Sequence, residues 1–178
     1  MLSDLCAEDL CAEDICEDRA GDRIDLADTS VLELGAGLGL AGLVAASRGA
    51  IVVQTDHDGA ALEACAQMAR LNAITGVSQV PGNWHDWRDD RHYDLIIGAD
   101  IAYDGDSHQP LLAIFARNLA PGGMILLADP EREMQATFIA RAHVAGWTVQ
   151  RLVRHVDDLR PGTAGARIAV AILALTRA

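Results

Sequence analysis

Strand-length apolar runs alternate with helical segments along most of this chain, and that alternation limits the folds open to it. The runs are rich in Val, Ile and Leu and too short to be helices. They are Ser30–Leu34, Ile51–Thr55, Val77–Val80, Asp94–Gly98, Met124–Ala128, Trp147–Val156 and Arg167–Leu175. Helices are predicted at about 39–48, 58–72, 107–119 and 131–145. Several runs are almost wholly apolar, as in strands covered on both faces, so we expect a doubly wound α/β domain.

The end of the chain departs from this alternation. Only Asp157–Ala166 joins the last two strand-like runs, and this linker contains Pro161, Gly162 and Gly165. It is too short for a crossover helix, so the two strands must form an antiparallel hairpin. The predicted fold is therefore a mixed seven-stranded sheet. We divide the chain into an acidic segment at 1–28 and a single folded domain at 29–178.

The acidic segment contains a five-residue repeat, LCAED LCAED ICED, which places cysteines at positions 6, 11 and 16. A spacing of five residues turns each side chain by about 140° around a helix, so the three thiols cannot share one face. No histidine lies nearby in the sequence to complete a metal site. We expect free thiols here, and no metal site anywhere in the chain.

The charge of the chain is concentrated in that segment. The net charge is −12, yet residues 1–28 alone hold ten acids and two arginines. An acidic chain is a poor partner for nucleic acid and suits a cationic substrate or cofactor. All 14 basic residues are arginine, and the chain has no lysine. The longest uncharged apolar stretch, Leu34–Ser47, is too short for a membrane span, and the first residues do not resemble a secretory signal, so we expect a cytoplasmic protein.

A glycine-rich turn follows the first strand, in the run SVLELGAGLGLAG at Ser30–Gly42. Gly37, Gly39 and Gly42 match the G-x-G-x-x-G pattern of dinucleotide-binding proteins. Glu33, however, lies at the end of the strand, two residues before the first glycine of the turn. Its carboxylate would repel a pyrophosphate and attract a sulfonium or an ammonium group. The run therefore favours S-adenosylmethionine (SAM) over NAD(P); a turn without a ligand is a third interpretation.

Asp56 ends the second strand, where a carboxylate can accept hydrogen bonds from both hydroxyls of a ribose. The other role open to it is to cap the following helix, which Asp58 is better placed to do. We therefore interpret Asp56 as a ribose ligand. A ribose occurs in both SAM and NAD, so this residue does not distinguish between them.

The run ELGAGLG at Glu33–Gly39 is similar to the first motif of class I SAM-dependent methyltransferases. With VPGNW at Val80–Trp84 and YDLIIGADIAY at Tyr93–Tyr103, the chain resembles the family 16 seven-strand methyltransferases, which are mostly protein-lysine methyltransferases. Their hallmark is an acid, two residues and an aromatic after the fourth strand, matched here by Asp100 and Tyr103. The resemblance implies SAM as cofactor and a lysine side chain of a protein as substrate.

The resemblance also implies roles for individual residues. Asp100 would attract and orient the acceptor amine, and Tyr103 would wall its slot. The residues expected around the cofactor are Glu33, Gly35, Ala36, Gly37, Gly39, Asp56, His57, Asn83, Trp84 and Ala99.

Other interpretations stay open for several of these residues. Trp84 could be a core aromatic, and Asp100 and Tyr103 could serve a turn and packing. The run Asp129–Arg132 (DPER) either resembles a turn of some family members with a substrate role, or Pro130 starts the next helix with Asp129 as its cap. The acceptor could be a small amine or another protein side chain, and a non-catalytic SAM-fold binding module is a further alternative.

Overall fold

A computed structural model describes residues 25–157 and 166–177 of the chain. Its elements, in chain order, are β1 (Ser30–Leu34), α1 (Leu40–Ser47), β2 (Ile51–Asp56), α2 (Gly59–Leu71), β3 (Val77–Pro81), a 3-10 helix (Trp84–Asp86), β4 (Tyr93–Ala99), α3 (His108–Asn118), β5 (Leu119–Asp129), α4 (Gln135–Val144), β6 (Trp147–Asp157) and β7 (Arg167–Arg177). The cysteine repeat and most of the last linker lie outside the described residues, and so does most of the predicted acidic segment. The described part contains no helix long and apolar enough to cross a membrane; the cytoplasmic location stays a prediction.

The seven strands form one mixed sheet in the order β3-β2-β1-β4-β5-β7-β6. Strands β1 to β5 pair in parallel, and β7 is antiparallel to both of its neighbours, β5 and β6. The β6–β7 pair runs in unbroken register from Trp147 opposite Arg177 to Asp157 opposite Arg167. The predicted mixed seven-stranded sheet and its terminal antiparallel hairpin are confirmed.

Both faces of the sheet are covered, as the apolar strands predict. Successive side chains of a strand point to opposite faces. Val31 accordingly packs in one buried cluster with Ala45 and Ala46 of α1. Leu32, the next residue of β1, belongs to a second buried cluster with Phe115 of α3 and residues of α4.

Two predicted boundaries are wrong. Strand β5 begins at Leu119, not at Met124, because Tyr93 pairs with Leu119 and Leu95 with Met124, so the intervening residues of β5 bulge out. Helix α4 begins at Gln135, not at 131, so Pro130 does not start it. Glu131 has a φ of 58°, which is incompatible with a right-handed helix.

The order of the strands determines where a ligand can bind. The chain winds from β1 outward to β2 and β3 on one side and then returns to β4 on the other side of β1. At such a switch point the loops that follow neighbouring strands diverge and leave a crevice at their carboxyl ends. The glycine-rich turn follows β1, Asp56 is the last residue of β2, and Asp100 follows β4.

Candidate functional site

An open hollow of about 370 Å³ lies at this edge of the sheet. Eight of the sequence-predicted site residues line it: Gly35, Asp56, His57, Asn83, Trp84, Ala99, Asp100 and Tyr103. A second hollow of about 650 Å³ shares His57, Gly82 and Asn83 with the first, so the two adjoin beside the ends of β2 and β3. The four remaining predicted residues, Glu33, Ala36, Gly37 and Gly39, do not line the first hollow. They belong to the turn and the strand end directly behind it.

Gly35 begins the turn and lies against the wall of the hollow. Its φ of 63° is in the left-handed region that favours glycine. A Cβ atom added there would come within 2.9 Å of Ile101 Cγ2 and 3.2 Å of Trp84 Cζ2. Any other residue at this position would therefore displace the loop or the Trp84 ring, and only a glycine leaves the backbone open to a ligand.

Asp56 fastens the glycine turn to the end of β2. Its Oδ2 accepts a hydrogen bond of 2.9 Å from the backbone N–H of Gly37, and its Oδ1 accepts one of 3.0 Å from that of Asp58. His57 Nδ1 lies 3.1 Å from Oδ1. A carboxylate has about four acceptor sites, so these three contacts leave about one, on Oδ2. Asp58 caps α2 through a bond from the N–H of Ala60, as expected.

Glu33 lies beneath the turn, not in the hollow, and is only 4% exposed. Gln54 Nε2 donates to its Oε2 at 2.7 Å, and the backbone N–H of Gly42 also donates to this carboxylate. Burial away from water raises the pKa of Glu33 from 4.5 to about 7, against the lowering effect of these two hydrogen bonds. Glu33 therefore holds the start of α1 and places a titratable charge directly under the turn.

The third glycine of the G-x-G-x-x-G pattern has a packing role here. A Cβ atom on Gly42 would collide with Glu33 Oε2. The pattern thus brings a carboxylate close to the first turn of α1, where a dinucleotide-binding protein would hold its pyrophosphate. Two negative groups in that space would repel each other, which argues against the dinucleotide interpretation.

Sequence reasoning missed the polar layer that supports the turn. Gln54 Nε2 also donates to the carbonyl oxygen of Gly39 at 2.8 Å, and Gln54 Oε1 accepts a bond of 2.9 Å from Gln79 Nε2. Gln54 is fully buried. The signal was a glutamine inside an otherwise apolar strand, because a buried amide in such a strand requires partners.

Trp84 and Asn83 shape the wall next to the glycine turn. Asn83 Oδ1 accepts a hydrogen bond of 2.9 Å from the N–H of His85 and so caps the 3-10 helix. That short helix carries the Trp84 ring over Gly35 and against the core, and the ring stays half-buried. Trp84 is therefore both a core aromatic and a wall of the hollow, so the two interpretations of this residue are compatible.

Asp100 leaves β4 in a strained conformation that aims it across the edge of the sheet. Its φ is 53°, which is uncommon for a residue other than glycine. Its backbone N–H donates to the carbonyl oxygen of Ala128 on β5 at 2.7 Å. Tyr103, three residues later, is 57% exposed at the rim. A packing role for Tyr103 is thus disfavoured.

Arg132 occupies both oxygens of Asp100, a pairing that the sequence did not predict. Arg132 Nε donates to Oδ1 at 3.0 Å, and its Nη2 donates to Oδ2 at 2.5 Å. Arg132 belongs to the DPER run, and its own backbone N–H donates to Asp129 Oδ1 at 2.8 Å. Asp129 therefore caps this turn and not a helix that starts at Pro130. Within residues 25–157 and 166–177, no group of three or more His, Cys, Asp or Glu side chains could hold a metal ion.

Comparisons with known proteins agree with this geometry. A family model described as lysine methyltransferase matches residues 10–144. The histone-arginine methyltransferase METTL23 of Xenopus laevis is 31% identical over 137 residues, which are 74% of this chain and 55% of that protein. The protein N-lysine methyltransferase METTL21A of Xenopus tropicalis is 39% identical over 111 residues, 60% of this chain and 51% of that protein.

Among solved structures, magnesium protoporphyrin IX methyltransferase from Synechocystis PCC 6803 superimposes with a TM-score of 0.67 at 16% identity. The match covers 86% of this chain and 72% of that one, and it shows a common fold. The chain spans about half the length of the curated relatives it matches.

Proposed function

The chain belongs to the lysine methyltransferase family, and from that premise we propose that it binds SAM and transfers the methyl group to a lysine side chain of a protein. One observation carries the proposal. The acid and aromatic of the family hallmark, Asp100 and Tyr103, line the same hollow as Gly35, Asp56 and Trp84. A cofactor site and an acceptor site therefore share one space at the switch point of the sheet.

The residues present fit SAM. Gly35 leaves its backbone open to the hollow, and Asp56 keeps about one acceptor site for a ribose hydroxyl. Trp84 and Ala99 offer apolar surface for an adenine ring. The carboxylates of Glu33 and Asp56 lie at the ends of neighbouring strands and favour a cation. When bound, SAM supplies an electrophilic methyl group on a positively charged sulfur.

The chain's own residues must then present a neutral amine. A lysine with its ordinary pKa near 10.4 must lose a proton before it can attack, at a cost of roughly 4–5 kcal/mol at pH 7. Asp100 can accept a hydrogen bond from the amine and fix its direction, while the exposed Tyr103 ring can flank the side chain as it enters. The protein contributes alignment and a site of suitable charge, and the proton passes to water.

An arginine acceptor is a second candidate, favoured by a specific contact. Asp100 already binds a guanidinium at two points, that of Arg132. In this candidate Arg132 occupies the place of the substrate guanidinium and leaves Asp100 when the substrate binds. One of the relatives is a histone-arginine methyltransferase, whereas others are lysine methyltransferases.

Calorimetric titration tests the cofactor. We expect heat from SAM and from its demethylated product S-adenosylhomocysteine, and none from NADH. Binding of NADH without binding of SAM would overturn the proposal.

Radiolabelled SAM with dialysed cell lysate tests the acceptor. We expect label on lysine residues of a lysate protein, and we expect prior reductive methylation of the lysate to abolish it. Label that survives this treatment and is released as methylarginine would establish the second candidate in place of the first. No label on any lysate protein would contradict both.

A further inference from the structure

Arg132 pairs with Asp100, the residue that the family hallmark assigns to the acceptor, and its positive charge offsets the negative charge of that carboxylate. The two hydrogen bonds run side by side from one guanidinium to the two oxygens of Asp100. The side chains of Arg132 and Asp100 are 53% and 39% exposed, and Asp100 lines the hollow, so the pair is open to an incoming group.

The turn that carries Arg132 is held from below. Asp129, only 2% exposed, accepts at Oδ1 from the backbone N–H of Arg132 and, at 2.9 Å, from Gln135 Nε2. Gln135 Oε1 in turn accepts a 3.0 Å bond from Arg151 Nε, and Arg151 pairs with Glu131. These contacts use residues of β5, α4 and β6. The turn that places the guanidinium against Asp100 is thus fixed by hydrogen bonds to three elements of the fold.

A bare carboxylate would work against the proposed chemistry. It stabilises an ammonium and so raises the pKa of the amine that must become neutral. A carboxylate whose charge is offset by a guanidinium keeps free acceptor sites for an N–H group. It stabilises an ammonium much less than a bare carboxylate does. Each oxygen of Asp100 accepts one bond from Arg132, which leaves about two of the four acceptor sites of the carboxylate.

We propose that Arg132 is a positioning residue that holds the Asp100 carboxylate and offsets its charge, so that the acceptor nitrogen is bound as a neutral hydrogen-bond donor. This proposal rests on the proposed function. It implies that Arg132 stays in place while the acceptor binds, and that the DPER run serves the acceptor side of the site and not the cofactor side.

Other titratable or charged groups lie near this pair. On the side of the turn they are Asp129, Glu131 and Arg151. Across the hollow they are Asp56, His57, His85 and Tyr103. Of these, Glu131 and Arg151 pair with each other, and Asp56 is bonded to the glycine turn. None of them can replace the guanidinium of Arg132 against both oxygens of Asp100.

Two variants and one control separate the charge of Arg132 from a structural role. Arg132→Met keeps the length of the side chain and removes the charge and both hydrogen bonds. Arg132→Lys restores a positive charge without the two-point contact. Arg117→Met is the matched control, because Arg117 on α3 has a similar exposure and its partner Asp90, unlike Asp100, does not line the hollow. The acceptor is the lysate protein labelled by the wild-type chain, isolated and used at known concentration.

The main readout is the pH dependence of the initial rate, since a merely structural role would lower the rate without moving the profile. We expect the rising limb of the kcat profile for Arg132→Met, measured with saturating acceptor, to move about one pH unit higher, because kcat reports the groups of the bound complex, where Asp100 faces the amine. This is about tenfold less activity at a fixed pH on that limb. Arg132→Lys should keep the wild-type limb with a lower kcat, and Arg117→Met should match the wild type. Affinity for S-adenosylhomocysteine, measured by calorimetry, should stay within twofold in all three variants.

The outcomes distinguish this inference from the proposed function. If the wild-type chain labels lysine but Arg132→Met has an unmoved pH profile, the inference on Arg132 is overturned and the lysine assignment stands. A loss of S-adenosylhomocysteine binding in Arg132→Met would also overturn it, because Arg132 would then belong to the cofactor site. If the wild-type chain labels no lysine, the proposed function fails and the inference fails with it.

Discussion

Replacing Glu33 by glutamine should remove a loss of stability that the wild-type protein undergoes as the pH rises toward neutrality. The carboxyl group is 4% exposed, and burial raises its pKa to about 7 from an ordinary value of 4.5. Because the folded state binds this proton more tightly than the unfolded chain does, stability is greatest at low pH. It falls as the pH rises from 4.5 to 7 and changes no further from this group above 7.

The size of the effect follows from the two pKa values. The complete difference corresponds to about 3 kcal/mol, and the part that develops between pH 5.5 and pH 8 is about 2 kcal/mol. Glu33→Gln cannot ionise, so its free energy of unfolding lacks this decline. At any one pH the new amide also lowers the free energy of unfolding, since its N–H groups are buried where the carboxylate had only acceptors. This cost is the same at every pH. It therefore cancels when the difference in free energy of unfolding between variant and wild type is compared at two pH values.

Urea unfolding followed by tryptophan fluorescence at pH 5.5 and pH 8 measures this quantity. We expect the advantage of Glu33→Gln over the wild type to grow by about 2 kcal/mol between the two conditions. Glu63→Gln is the control, because Glu63 is an exposed carboxylate on α2 and should give the same difference at both values. A difference between Glu33→Gln and the wild type that does not change with pH would refute the argument that burial sets this pKa.

Three further predictions concern the site. The affinity of the wild type for SAM, measured by calorimetry, should fall about tenfold from pH 8 to pH 6, because protonation of Glu33 removes a charge that attracts the cation. Glu33→Gln should bind SAM more weakly and with no such pH dependence; an equal pH dependence of affinity in variant and wild type would exclude Glu33 as its cause. Asp100→Ala should abolish methyl transfer with SAM affinity within twofold, and Tyr103→Phe should be milder; a parallel loss of SAM binding would move Asp100 to the cofactor site. The chain has no lysine, so alone with radiolabelled SAM it should stay unlabelled apart from a trace at its N-terminal amine, and strong label on an arginine would favour the arginine acceptor.

The architecture was predictable because its signals are local. The apolar runs and the short last linker predicted the mixed sheet, and the glycine turn with Glu33 predicted a cofactor edge. The boundaries that failed depend on contacts between distant residues. Strand β5 starts early because Leu119 pairs with Tyr93 across a bulge, and α4 starts late because Asp129 holds the N–H of Arg132 in a turn. Neither contact leaves a periodic pattern in the sequence.

The chemistry of the site was predictable only in part, for the same reason. Three carboxylates were expected at the strand ends, and each has a partner that the sequence does not reveal. Glu33 is kept partly protonated by burial, Asp56 is bonded to the backbone of the glycine turn, and Asp100 is paired with Arg132. Each partner offsets the cost of holding a carboxylate in a partly desolvated crevice before any ligand arrives.

These three partners give the carboxylates different tasks. A proton on Glu33 can leave when a cation binds above the turn, so this group can become negatively charged as the cationic cofactor binds. The backbone N–H groups on Asp56 cannot leave without unfolding the turn, so that carboxylate is a fixed acceptor. The guanidinium on Asp100 is fixed by its own turn but leaves acceptor sites open, so this carboxylate can direct an amine without strongly favouring its charged form. One negative edge of the sheet can thereby attract a cationic cofactor on one side and receive an uncharged nucleophile on the other.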